Sequence, residues 1–148
     1  MRIISILLVS LIVISCEKDK FTTKPQLKYL SENTTNIAGE QLLIMRLDMT
    51  DKEGDFSSFL AIKKTVKGCP TSNYTDSTLF AIPGEFIDTK QTRGELVITL
   101  DKIKRGTNTC FQPGGLVRPD TTIFSFWTRD KAGNVSDTAY SQEIIIMP

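Results

Sequence analysis

Between Gln41 and Met49 the chain alternates: Leu43, Met45, Leu47 and Met49 fall on one face of an extended strand, and Leu42, Ile44, Arg46 and Asp48 on the other. Period-2 alternation places one face on a core and turns the other toward solvent. The same pattern recurs down the chain. Phe59–Val66 sets Phe59, Ala61 and Lys63 opposite Leu60, Ile62 and Lys64. Leu79–Ile82 is a short run closed by Pro83-Gly84. Glu95–Asp101 is the clearest, with Leu96, Ile98 and Leu100 opposite Glu95, Val97, Thr99 and Asp101. Thr121–Arg129 opposes Phe124 and Phe126 to Ile123, Ser125 and Trp127, and Thr138–Met147 opposes Ile144 and Ile146 to Ile145 and Met147. A weaker run at Gln26–Leu30 supplies a first strand.

No stretch holds a helical period over ten residues; Leu100–Arg105 allows one turn at most. The runs are separated by clusters of Gly, Pro, Asn and Asp, and residues 67–78 and 106–119 read as long loops. About seven short strands with this spacing predict an all-β fold, an antiparallel β-sandwich occupying residues 26–148.

Composition narrows the chemistry. The chain has 148 residues, with 18 basic and 17 acidic side chains, which is the charge balance of neither a nucleic-acid binder nor an acidic disordered tail. It has no histidine, so the commonest general base and the commonest zinc ligand are both missing. The carboxylates fall in turns or on polar strand faces, and none is marked as a catalytic pair. A non-catalytic protein with no cofactor is therefore expected.

The N-terminus carries an address. Arg2 is the only charge before Glu17, and Ile3–Ile14 is aliphatic apart from two serines. As a helix this run is about 18 Å long against about 30 Å of bilayer hydrocarbon, which suits a secretory signal and not a span. Val13-Ile14-Ser15-Cys16 resembles the lipobox of bacterial lipoproteins. The resemblance implies cleavage after residue 15, lipidation at Cys16, a tether over residues 16–25, and membrane attachment through more than one acyl chain. Loss of residues 1–15 removes Arg2 and leaves 17 basic and 17 acidic side chains. Lys18-Asp19 after the cysteine resembles the surface-export signal of some Gram-negative lipoproteins, which implies an outer-membrane anchor facing the cell surface; a plain solvated tether on the periplasmic face is the competing reading.

Cys69 and Cys110 remain, one in each long loop. In an exported chain an even pair reads as a disulfide, here closing a loop of about 42 residues worth about 4 kcal/mol in the chain-entropy model. A zinc site or a thiol nucleophile would need partners that the absence of histidine and of a CxxC spacing withholds.

Three further motifs stand out. Asp130-Lys-Ala-Gly133-Asn134-Val-Ser136, preceded by Phe124-x-Phe126-x-Thr128, resembles the turn before the last strand of bacterial immunoglobulin-like and fibronectin-type-III-like domains. That resemblance implies an immunoglobulin-like sandwich; locally, Gly133 supplies positive φ, Asp130 accepts backbone N–H groups and Asn134 tolerates αL. Asp48-Met-Thr-Asp51-Lys-Glu53-Gly54-Asp55 resembles the D-x-x-G-D turn of small lipoproteins of uncharacterised function. Asp51, Glu53 and Asp55 are hard oxygen ligands of the kind calcium takes, but the EF-hand spacing is not met, and a tight turn at Gly54 with its carboxylates in solvent is expected. Asp76-Ser77, Asp120-Thr121 and Asp137-Thr138 resemble the acceptor sites of a bacterial O-glycosylation system, beside the ordinary turn chemistry of these residues.

Function is then expected to be binding, adhesion or envelope assembly through a protein or glycan partner. Trp127, Tyr140, Tyr74 and Phe111 are the side chains able to form a ligand platform. An outward Trp127 beside Tyr140 would favour a carbohydrate-binding accessory of a polysaccharide-uptake system; a core Trp127 would weaken it.

Overall fold

A computed structural model describes residues 22–67, 77–101 and 118–148. Cys16, Cys69, Tyr74, Cys110 and Phe111 lie outside these residues, and with them the lipidation and disulfide readings and two of the four platform aromatics.

Each of the seven sequence runs forms a strand. In chain order the elements are β1 (Gln26–Glu32), β2 (Asn36–Ile37), β3 (Leu43–Thr50), β4 (Phe56–Lys67), β5 (Ser77–Ala81), α1 (Gly84–Asp88), β6 (Arg93–Leu100), β7 (Asp120–Asp130), β8 (Ala139–Tyr140) and β9 (Ile144–Ile146). A small sheet runs β1-β3-β6, and a larger one runs β2-β9-β7-β4-β5 with β8 also on β7. The two sheets pack face to face as an all-β sandwich. The first, third and sixth strands form one layer, and the second, fourth, fifth, seventh, eighth and ninth form the other.

The buried faces are those the alternation marks. Leu43, Met45, Leu47 and Met49 of β3 are fully buried and meet Phe124 and Phe126 of β7, Leu60 and Ile62 of β4, and Ile98 and Leu100 of β6. Tyr29 of β1 stacks on Phe126 with ring centroids 5.9 Å apart, and its hydroxyl donates to Glu32 Oε2 at 2.7 Å. Burial, then the Glu32 bond, pushes that phenol well above its ordinary range.

Four features depart from the expected pattern. The larger sheet is mixed, because the two-residue β2 pairs in parallel with β9; a segment that short carries no periodicity. Pro83-Gly84 closes the β5 run as expected but also opens a short helix, α1, whose Phe86 packs on Phe56 at 5.4 Å and over Gly94, where a Cβ would clash with the Phe86 ring. The last run breaks into β8 and β9 at Ser141, whose Oγ accepts from Phe124 N and whose N–H donates to Phe124 O, both at 2.9 Å. Finally, carboxylates are not confined to turns and polar faces: Asp120 is buried with its Oδ2 3.9 Å from Nζ of the equally buried Lys64.

Candidate functional site

The outer face of the large sheet is built by register. Residues opposite one another in an antiparallel pair project to the same side. Ala61 of β4 lies opposite Trp127 of β7 on one flank and Leu79 of β5 on the other. Ser125 lies opposite both Lys63 of β4 and Tyr140 of β8. Phe59 lies opposite Ala81. Because Phe124, Phe126 and Thr128 point into the core, Ile123, Ser125 and Trp127 point outward.

The exposure along this row is uneven. Leu79 is 63% exposed and Tyr140 62% exposed, while Ala61 between the taller side chains is only 2% exposed. Trp127 is half-buried at its flank. Trp127 and Tyr140 are diagonal neighbours across β7 and β8, a relation that puts Cβ atoms about 7–8 Å apart. The strand positions facing outward here hold Lys63, Lys67 and Arg129 but no carboxylate.

Trp127 and Tyr140 are thus brought together on one exposed face. Leu79, Ala61 and Phe59, which complete it, were legible only as members of separate alternating runs. Their juxtaposition depends on which strands pair, and alternation within a strand is silent on that.

The Asp130–Ser136 turn performs the local roles expected of it, with one exception. Gly133 has φ +97°, Asp130 Oδ1 accepts from Asn134 N at 2.7 Å and Asp130 Oδ2 from Asn134 Nδ2 at 2.6 Å. Ser136 Oγ accepts from Thr128 N at 3.0 Å. Asn134 keeps ordinary negative φ; its contribution is the hydrogen bonds and not αL geometry. These bonds hold the end of β7 close beside Trp127.

The Asp51–Asp55 turn is less solvated than its sequence suggests. Gly54 has φ +64° and packs so closely that a Cβ would lie 2.5 Å from Lys90 O. Asp51 Oδ1 accepts from Glu53 N and Gly54 N, both at 2.8 Å. Asp51 is buried, Asp55 half-buried and Glu53 exposed. Burial, opposed by the two backbone bonds and reinforced by Asp55 and Glu53, raises the Asp51 pKa above the usual carboxylate range. Of the glycosylation-like sites, Thr121 lies half-buried within β7 beside buried Asp120, whereas Thr138 is exposed.

Among the described residues no helix is long and apolar enough to cross a membrane. Compared with protein-family models, with curated proteins and with solved structures, the chain finds no match.

Proposed function

We propose that this chain is a non-catalytic, lipid-anchored binding module of the bacterial cell envelope, held at the outer membrane through Cys16 and docking a protein partner on the outer face of its large sheet. The lipobox-like Val13–Cys16 supports the anchor, and the Lys18-Asp19 start supports exposure at the cell surface. The observation that carries the docking role is the row Trp127–Ala61–Leu79 with Tyr140 beside it. Exposed apolar patches of this kind mark interaction surfaces, and tryptophan and tyrosine dominate binding energy where they sit in them. The apolar Leu79, Ile123 and Phe59 around the tryptophan suit a protein surface; Lys63 and Arg129 suit one with acidic groups at its rim, while Lys67 is ion-paired with Glu143. The outward Trp127 with Tyr140 at a cross-strand diagonal favours a second reading, stacking on sugar rings as a polysaccharide-uptake accessory.

Trp127 is the only tryptophan in the chain, so its fluorescence reports on this face alone. Titration with solubilised outer-membrane fraction should shift its emission and protect it from acrylamide quenching. Protease treatment of the fraction should abolish the shift if the partner is protein; periodate treatment should abolish it if the partner is glycan. An unperturbed emission with every fraction would refute the docking face. Cys16→Ala should release the protein from membranes, and continued partitioning into detergent would refute the anchor.

A further inference from the structure

The turn between β3 and β4 gathers oxygens around one point. A carboxylate oxygen from each of Asp51, Glu53 and Asp55 lies within 4.8 Å of the other two. Oxygens bound to a single calcium at about 2.4 Å are at most about 4.8 Å apart, so the three fall within the span of one ion. Proximity of acidic side chains is common on surfaces and by itself implies nothing.

The second observation is the state of Asp51. Its residue is 1% exposed, and while Oδ1 accepts two backbone hydrogen bonds, Oδ2 is buried with no hydrogen-bond partner among the described residues. Buried polar atoms are almost always satisfied, because an unpaired one forfeits the hydration it had in the unfolded chain. No lysine or arginine among the described residues forms an ion pair with Asp51, Glu53 or Asp55. A buried carboxylate oxygen and two further carboxylates at its side, with no compensating cation among the described residues, suit an added positive charge.

We infer that Asp51, Glu53 and Asp55 form a calcium site that ties the β3–β4 turn to its surroundings. The fold supports the turn from three sides. Lys90 O presses on Gly54, Asp51 N donates to Thr92 O at 2.9 Å, and Asp55 O accepts from Lys131 N at 2.8 Å. An ion here would therefore brace the β6 entry and the Asp130–Ser136 turn as well as its own loop. Carboxylate and carbonyl oxygens are hard ligands, which excludes the soft transition metals as preferred occupants. The inference is independent of the binding role proposed for the outer face.

The test is thermal unfolding of the purified domain in EDTA, in 10 mM calcium and in 10 mM magnesium, with isothermal titration of calcium alone. Extracellular calcium modules bind in the range of about 0.1 to 1 mM, so 10 mM calcium should raise the melting temperature by about 5 °C. Magnesium, with its demand for near-ideal octahedral geometry, should raise it far less. Asp51→Asn keeps the Oδ1 acceptor and should remove the calcium response. Glu53→Gln changes an exposed side chain, cannot unfold the domain by itself, and should weaken calcium binding about tenfold or more. Equal melting temperatures in EDTA and calcium, an equal response to both ions, or an unchanged calcium affinity in Glu53→Gln would overturn the assignment.

Discussion

The two outer faces of this sandwich solve the same problem in opposite ways. On the small sheet the outward row of β3 and β6 is charged. Asp48 and Glu95 lie directly opposite each other, a repulsive pairing, and each is answered along the diagonal. Arg46 Nη1 donates to Glu95 Oε1 at 2.6 Å, and Arg93 reaches both oxygens of Asp48 at 3.0 Å. Lys28 of β1 lies opposite Asp48 on its other side. Such a face is content in water and repels the edge and face contacts that lead to association. The large sheet's outer face carries Trp127, Tyr140, Leu79, Phe59 and Ile123 instead. The small sheet also exposes Val97 and Leu30, so the contrast lies in its ion-paired carboxylates against the outward aromatic side chains of the large sheet, which suit contact.

This contrast can be broken in three ways, of decreasing size. The largest effect separates neighbours on β7. Phe126→Ala removes a fully buried ring and should cost about 3–5 kcal/mol of stability. Trp127→Ala, one residue along, should cost only about 1 kcal/mol while abolishing partner binding. Equal losses in chemical denaturation would mean that Trp127 is a core residue in effect and would end the distinction between the faces.

A middle-sized effect concerns the edge of the Trp127–Ala61–Leu79 row. Leu79→Asp places a charge on the exposed edge strand and should leave stability within about 0.5 kcal/mol of the parent, with at least a tenfold loss of partner affinity by fluorescence titration. Retained affinity would confine the binding surface to the β7–β8 side. The smallest effect lies on the small sheet. A double-mutant cycle on Arg46 and Glu95 should give a coupling of about 0.3–0.5 kcal/mol that fades in 1 M salt, because both partners are about half exposed. A coupling several times larger would show that this face is structurally tuned and not merely solvated.

How much of this was legible beforehand depends on the residue. The inward set Leu43, Met45, Leu47 and Met49 follows from alternation alone, as do Phe124 and Phe126. So do the roles of Gly54 and Gly133, which the turn motifs require and which show φ of +64° and +97°. Buried Asp51 was not legible: an acidic turn of small residues reads as solvent-facing, and only the arrival of the Lys90–Thr92 segment over Gly54 closes it off. Buried Asp120 was hidden for the same reason, its partner Lys64 lying 56 positions away in the chain.

Tyr140 shows where local pattern ends. In one unbroken strand over Thr138–Met147 it would share a face with Ile144 and Ile146, inside the core. The ladder instead pairs Tyr140 with Ser125 and Ile144 with Thr122, so that four steps on one strand answer three on the other. The extra residue shifts the phase, and Tyr140 turns outward toward the side of Trp127. Alternation within each run, turn chemistry and the absence of a helical period are properties of neighbouring residues, and the sequence by itself determined them. Which runs pair, in what register, and where a bulge reverses a face are set by contacts between distant segments competing for one core. Only the tertiary structure decided those, and with them the outward row of the large sheet and the closed acidic turn.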